Sequence, residues 1–286
     1  QRQMCIRDRA GLDPWVTPQA YDNAKEFFDT GITWSNSLNV AQMLEKSSYS
    51  ISLGNTHQDG IISSTGMDRY NVKVSADTKL TNNWSSGFTA NYITTSIDKA
   101  VTSGNGLLRT VYAAPPSYDL AGIPSHVDGN QYTQNSFRGS FDNAYWAMDN
   151  NKFTEDTNRF FGNVYASYQT DFGTTNHKLN AKYMVGVDAY TTHYVDSYGY
   201  GSNTGGGRGQ IENYGWTNAT YNSLLTINYD WHINEDWGLN AVLGNEIIQS
   251  NRKKYYEYGT NYNFPGWNHI NLSLIHISEP TRQAEI

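Results

Sequence analysis

The sequence predicts an all-β fold, an antiparallel up-and-down meander of about eight long strands. Three observations support this prediction. Apolar and polar side chains repeatedly alternate with a period of two residues, which separates the two faces of a strand. The connections between these segments alternate between short and long. The residues are 14% aromatic and only 16% charged, with many Tyr, Asn, Thr, Ser and Gly, which favours strands and turns over helices.

The alternation is clearest in residues 69–92, RYNVKVSADTKLTNNWSSGFTANY, which are typical of a two-faced hairpin. Its apolar positions share one parity: Tyr70, Val72, Val74, Ala76, Phe88, Ala90 and Tyr92. Its polar positions take the other: Asn71, Lys73, Ser75, Thr89 and Asn91. The same pattern predicts strands at residues 48–53, 160–169, 179–189, 218–231 and 237–246, and a weaker one at residues 37–44.

The connections at the two ends of the predicted strands also differ in length. Short turns are predicted at residues 45–47, 79–83, 171–176 and 232–236, and longer connections at residues 56–66, 96–156 and 192–213. Short turns at one end and long loops at the other are typical of an outer-membrane β-barrel. A soluble sandwich usually has shorter strands and Greek-key connections.

Three tryptophans lie beside the short turns and share the parity of the apolar face: Trp84, Trp231 and Trp237. Aromatic residues at the ends of lipid-facing strands form the interfacial girdles of membrane barrels. We therefore predict a membrane girdle at these residues, on the periplasmic side, and contact between the apolar face and outer-membrane lipid. The alternative is that they cap the core of a soluble protein.

Charge and composition exclude several classes of protein. The 286 residues carry a formal charge of −7 without a basic stripe, so we expect no nucleic-acid partner. The single cysteine, Cys5, excludes an internal disulfide framework and a cysteine-based zinc site. No run of about 18 apolar residues predicts a transmembrane helix, and residues 1–9 lack the apolar stretch of a signal peptide.

The two ends of the chain differ from the middle. QRQMCIRDR at the start and LSLIHISEPTRQAEI at the end resemble translated sequencing-adaptor read-through, as found in fragments assembled from environmental (metagenomic) DNA. We therefore expect residues 1–10 and 272–286 to be non-native or disordered ends. Residues 11–271 then form a partial outer-membrane β-barrel, in which residues 96–156 are a long extracellular loop.

Four segments carry a resemblance to a known family: NAKEFFDTGITWSNSLNV (23–40), YSISLGNTHQDGIISSTGMDRYNVKVSADTKL (49–80), AAPPSYDLAGIP (113–124) and FDNAYWAMDNN…TNRFFGNVYASY (141–168). They resemble the barrel of SusC/RagA-type TonB-linked outer-membrane transporters over residues 11–271. The resemblance implies an incomplete portion of a roughly 22-stranded transmembrane β-barrel. It also implies coupling to the TonB complex through a plug domain that we expect to be absent from this sequence.

The same resemblance implies a function. We expect a fragment of a TonB-dependent nutrient importer in the outer membrane of a Gram-negative bacterium. A SusD-like surface lipoprotein is the expected partner and oligosaccharide the first expected cargo, with peptide as the other possibility. The alternative is a soluble β-rich glycan-binding module, in which the faces around Leu179 and Leu225 would pack against a second sheet.

No catalytic constellation stands out, so we predict no enzyme activity, cofactor or metal site. The histidines are scattered, and residues 201–210, GSNTGGGRGQ, lack a phosphate-binding motif and are predicted to be a flexible loop. Four carboxylates could bind Ca²⁺ but lack EF-hand spacing and are expected to be solvated: Asp142, Asp149, Glu155 and Asp156.

Two groups of residues are candidates for binding. In the long loop, ligand contacts are predicted at Tyr112, Tyr118, Arg138, Tyr145 and Trp146, because aromatic faces stack on sugar rings. For Tyr145 and Trp146 the alternative is packing of the loop onto the barrel rim. Lumen-facing positions are predicted at Asn180, Lys182, Asp188, Asn222 and Glu246, which would contact a plug or cargo, or only wet the interior.

Overall fold

The computed structural model describes residue 11 and residues 19–101, 106–174 and 176–285, with the backbone alone for residues 272 and 274–285. The predicted non-native or disordered end at residues 1–10 lies outside these residues. The sheet strands are β1 (Thr33–Met43), β2 (Ser47–Asp59), β3 (Gly66–Lys79), β4 (Trp84–Lys99), β7 (Lys152–Thr170), β8 (His177–Tyr198), β9 (Gln210–His232), β10 (Gly238–Tyr262) and β11 (Ser273–Glu285). The connections contain α1 (Asn23–Phe27), α2 (Leu107–Ala113), α3 (Ala144–Asn150), β5 (His126–Val127), β6 (Asn130–Gln134) and a 3-10 turn at Ile270–Leu272.

In the described part of the chain, nine strands form one sheet in the order β1-β2-β3-β4-β7-β8-β9-β10-β11. Each strand pairs antiparallel with the next, and the predicted meander is confirmed, with the eight predicted strands at β1–β4 and β7–β10. No described helix is long and apolar enough to cross a membrane.

The ninth strand, β11, lies in the segment for which the sequence predicts a non-native or disordered end. Its backbone pairs with β10 from Tyr262↔Ser273 to Ser250↔Glu285. The edge of β10 offers backbone groups that such an extended segment satisfies. That residues 272–286 are a non-native or disordered end stays a prediction.

The register places the apolar positions of neighbouring strands side by side on one face of the sheet. Ile227, for example, lies between Ala181 of β8 and Leu243 of β10. We call this surface the apolar band; it covers residues 179–189 of β8, 219–231 of β9 and 239–247 of β10. Beyond it, the same face turns polar, with Thr191, His193, Asn251 and Lys253 among its residues.

No described layer covers the apolar band. Val185 is 41% exposed and Leu243 is 65% exposed. The only second sheet among the described residues is the short β5–β6 pair, which belongs to the long connection between β4 and β7. The second sheet expected for a soluble module is therefore not found against Leu179 or Leu225.

Two polar residues shape short turns at one end of the sheet. The Thr81 hydroxyl accepts hydrogen bonds from the backbone N–H groups of Asn83 and Trp84, at 3.2 and 3.0 Å. The Asn234 side chain does the same for the N–H groups of Asp236 and Trp237, at 3.0 and 2.8 Å. Such local bonds allow the chain to reverse within a few residues.

At the other end, the long connections pack together into what we call the loop cap, residues 19–32, 60–65, 106–151 and 199–209. Its buried core consists of Phe27, Ile62, Leu107, Val111, Tyr118, Leu120, Ile123, Ala144, Trp146 and Ala147. The Asn23 side chain fixes α1 to it by donating to the Tyr118 carbonyl and accepting from the Leu120 N–H, both at 3.0 Å.

Candidate functional site

The predicted lumen-facing residues all lie on the polar face of the sheet, opposite the apolar band: Asn180, Lys182, Asp188, Asn222 and Glu246. Asn222, for example, pairs with Gly186 of β8 and Ile248 of β10, and it shares this face with Lys182 and Asp188. The structure thus places these side chains together on one surface, and their contact with a plug or cargo stays a prediction.

Several charged groups on this polar face have close partners rather than being merely solvated. Arg159 donates to both carboxylate oxygens of Asp188, at 2.8 and 2.5 Å. The Lys182 ammonium lies 4.2 Å from the centre of the Tyr165 ring, and the Tyr165 hydroxyl donates to Asp77 at 2.6 Å. The two parallel hydrogen bonds hold the guanidinium in one orientation, and the carboxylate balances its charge.

The centre of the polar face forms an open trough of about 750 Å³. Its lining mixes amides and a cation, such as Asn91, Asn163 and Lys73, with apolar groups such as Phe161 and Met184. This mixture suits a surface that contacts a polar peptide or glycan, and equally a surface that packs against another protein domain.

The three girdle tryptophans lie at the turn end of the apolar face. The Trp84 ring is 5.0 Å from that of Tyr168, and the Trp231 ring stacks on His177 at 5.6 Å. Trp237 is 70% exposed. Their common end and face agree with the predicted positions, and their contact with a membrane interface stays a prediction.

Two of the predicted ligand contacts are buried in the loop cap. Trp146 is 0% exposed and donates its indole N–H to the Gln131 carbonyl at 2.8 Å. Tyr118 is 3% exposed, and burial raises the pKa of its hydroxyl to about 12. In this conformation neither side chain can reach a ligand, because each fills the cap core; for Trp146 this is the packing alternative.

The other three predicted contacts are more accessible than Trp146 and Tyr118. Tyr112 is 68% exposed and its ring lies 6.3 Å from Phe28. Tyr145 packs edge-on against Phe27 at 5.3 Å, where burial and nearby carboxylates raise the pKa of its hydroxyl. The Arg138 guanidinium instead lies 5.1 Å from the Phe141 ring. A ligand role for these residues stays a prediction.

Asp142 differs from its expected solvated state. It is 7% exposed, and its Oδ1 accepts from the Gln134 amide at 2.7 Å and from the backbone and side-chain N–H groups of Asn203 at 2.8 and 2.7 Å. The Ser202 hydroxyl donates to Oδ2 at 2.6 Å. Neutral donors replace water here, as a buried carboxylate requires.

The same contacts anchor the Gly-rich segment that the sequence predicts to be a flexible loop. Ser202 is 0% exposed, and Gly201 packs so closely that a Cβ would meet the Tyr132 carbonyl oxygen at 2.2 Å. The glycines therefore permit close packing against the loop cap as well as tight turning. Among the described residues, no cluster of His, Cys, Asp or Glu is arranged to hold a metal ion.

One group of residues on the polar face was missed by sequence reasoning. Tyr194, Tyr214 and Trp216, which we call the aromatic row, lie beyond the level of the apolar band, with Lys99 and Arg252 over their rings. The available signal was parity: Tyr194 continues the polar-face positions of β8, and Tyr214 and Trp216 continue those of β9. The sequence instead predicts a loop over residues 192–213, because the alternation weakens there.

Known proteins match this chain in fold but not in sequence. No family model matches the sequence, and no curated protein matches it. The fold matches a solved structure described as the RagAB peptide importer in the 'closed-closed' state, with a TM-score of 0.74 and 15% identity over 97% of this chain and 32% of that chain. A structure of the RagAB peptide transporter gives a TM-score of 0.76 and 14% identity, over 98% of this chain and 33% of that chain.

A third match, the RagAB peptide importer in the 'open-open' state, has a TM-score of 0.71 and 15% identity over 93% of this chain and 30% of that chain. The chain thus spans about a third of the length of these chains. At such identities the likeness establishes the fold: the sheet matches part of the barrel of a SusC/RagA-type transporter.

Proposed function

We propose that this chain forms part of the wall of a TonB-dependent importer in the outer membrane of a Gram-negative bacterium. The observation that carries the proposal is the apolar band, which is exposed on one face while the opposite face is polar. In β8 the band covers residues 179–189, which at about 3.3 Å per residue and a tilt of about 45° gives about 25 Å. That height is close to the height of the apolar surface on the outside of membrane barrels.

The cargo that we propose is a nutrient oligomer, either an oligosaccharide or a peptide. Support for a peptide comes from the matched structures, which are described as a peptide importer. Support for an oligosaccharide comes from the aromatic side chains of the polar face, because aromatic faces stack on sugar rings. A SusD-like lipoprotein at the loop end and a plug domain coupled to TonB are the proposed partners.

The test is fractionation of the full-length protein that contains this segment. We expect it in the outer-membrane fraction, with migration in detergent gels that changes on heating, because a closed barrel resists unfolding by detergent. Recovery as a soluble monomer without detergent would contradict the proposal and would favour a soluble binding module.

A further inference from the structure

The aromatic row occupies a part of the polar face that the apolar band does not reach. Tyr194 lies five residues beyond Ala189, where the band ends in β8, and Trp216 lies three residues beyond Ala219 in β9. If the wall is oriented as proposed, the row faces the lumen on the extracellular side of the membrane. A solute entering from the loop end would meet it before reaching the membrane-spanning part of the barrel.

The rings of the row are close and ordered. Tyr194 and Tyr214 form a direct cross-strand pair whose rings are parallel, with centres 4.8 Å apart and an interplanar angle of 4°. The Trp216 ring lies 5.3 Å from that of Tyr194. All three side chains are half-buried, so they keep accessible surface while their neighbours restrict their movement.

The two cations beside the row differ in how their charge is balanced. The Lys99 ammonium lies 4.4 Å from the Tyr194 ring and pairs with Glu155 at 3.3 Å. The Arg252 guanidinium lies 4.9 Å from the Trp216 ring, and none of the described carboxylates forms a salt bridge with it. Its Nε is buried without a hydrogen-bond partner among the described groups.

Among the described residues, the half-buried Arg252 guanidinium differs from Arg159 because no carboxylate pairs with it. Arg159, by comparison, meets both oxygens of Asp188. An unsatisfied buried donor is destabilising, and a carboxylate from a ligand would accept its hydrogen bond at Arg252. The stacked rings beside the guanidinium would at the same time contact the part of the ligand that carries the carboxylate.

We propose that Arg252 and the aromatic row bind a ligand that carries a carboxylate, with the carboxylate on the Arg252 fork and a neighbouring ring or planar group on Trp216 and Tyr194. Asp196 and Glu212 face each other across β8 and β9 at the loop side of the row. Their charges direct the ligand carboxylate to the Arg252 end. The C-terminus of a peptide and the carboxylate of a uronic acid both have this chemistry. The proposal rests on the proposed function for its orientation.

The experiment measures binding to the full-length protein in detergent by calorimetry, with matched probes. One pair is a short aromatic peptide with a free C-terminal carboxylate and its C-terminal amide; the other is a uronic-acid disaccharide and its neutral counterpart. We expect the protein to prefer the carboxylate member of at least one pair, and which pair shows the preference identifies the source. Arg252→Gln should weaken that binding roughly 10- to 100-fold and leave binding of the matched probe that lacks the carboxylate unaffected.

Two further variants keep the result specific. Arg252→Lys retains the charge without the planar guanidinium. Its affinity for the carboxylate probe should lie between those of the unmodified protein and Arg252→Gln. Lys253→Gln removes an exposed charge from the adjacent position on the opposite face, and should bind as the unmodified protein does. Three outcomes would overturn the proposal. The protein could bind both members of each pair equally, it could bind neither carboxylate probe, or Arg252→Gln could keep the preference unchanged. The same samples are also tested for heat-modifiable migration. If it is present while one of these outcomes is found, the ligand proposal fails and the proposed function does not.

Discussion

At the scale of single residues, strand parity decides which solvent a side chain meets. Val185 and Met184 are adjacent in β8, yet Val185 belongs to the apolar band and Met184 lines the trough on the polar face. In the proposed barrel wall, a charge at Val185 would face lipid, whereas a charge at Met184 would face water or a polar plug.

We therefore predict that Val185→Arg impairs outer-membrane insertion of the full-length protein and Met184→Arg does not. The expected cost for an arginine near the middle of the bilayer is about 2–4 kcal/mol on the lipid face. The measurement is the amount of each variant with heat-modifiable migration in outer-membrane fractions. Equal tolerance of both substitutions would argue against lipid on the apolar band.

A second residue-scale prediction concerns Tyr118. Its hydroxyl is buried and has no hydrogen-bond partner among the described groups, and its pKa is raised to about 12 by burial. Because the unfolded residue ionises near pH 10, the cap loses stability as the pH rises above that value. Tyr118→Phe removes both the unsatisfied hydroxyl and this ionisation.

We expect Tyr118→Phe to leave the loop cap as stable as before, or more stable by about 1 kcal/mol. The measurement is the rate of protease cleavage within residues 106–151, first near neutral pH and then near pH 11. Cleavage should accelerate less at high pH in the variant. Tyr112→Phe is the control, because Tyr112 is 68% exposed. A marked loss of protease resistance in Tyr118→Phe near neutral pH would contradict the account.

At the scale of elements, the sequence predicts the strands better than their ends. Within the apolar band one face is apolar and the other is largely polar, so β8 and β9 are visible as period-two patterns. Beyond it the alternation weakens, with Tyr194 on one face and Val195 on the other, and hydrogen bonds between strands extend β8 to Tyr198. The sequence accordingly predicts a connection of residues 192–213, whereas the turn between the strands occupies residues 199–209.

The loop candidates show the same limit. Trp146 and Tyr118 are aromatic residues in a long connection, a pattern that is shared by ligand contacts and by buried packing residues. Only tertiary contacts distinguish the two, because the cap core is assembled from segments far apart in the sequence. The polar face was easier to predict, since parity alone placed Lys182 and Asn222 there.

The anchoring of residues 199–209 gives a prediction at the element scale. Asp142→Ala removes the acceptor for Gln134, Ser202 and Asn203 and leaves their donors unpaired, at about 1–3 kcal/mol. The segment should open more often, and trypsin should cleave after Arg208 about tenfold faster or more. Asp149→Ala, at an exposed position in α3, is the control. Identical cleavage rates for both variants would show that Asp142 does not hold the loop.

At the scale of the whole molecule, the sheet is open. Every residue of β1 is exposed, and its outer edge presents backbone groups with no partner strand among the described residues. Inside a bilayer such an edge requires a neighbouring strand, because water is not available to satisfy it. The proposed function therefore requires that β1 and the last strand pair with further strands of the complete barrel.

In the proposed importer, the strands that continue past the apolar band set the distance between the loop cap and the membrane. β8 extends from residue 190 to Tyr198 beyond the band, which at about 3.3 Å per residue and a tilt of about 45° raises the loop cap about 20 Å above the lipid. A lipid-anchored partner resting on the cap would need a tether of at least about six extended residues between its acylated end and its folded domain. The length of these strands thus sets the minimum linker length of the proposed lipoprotein partner.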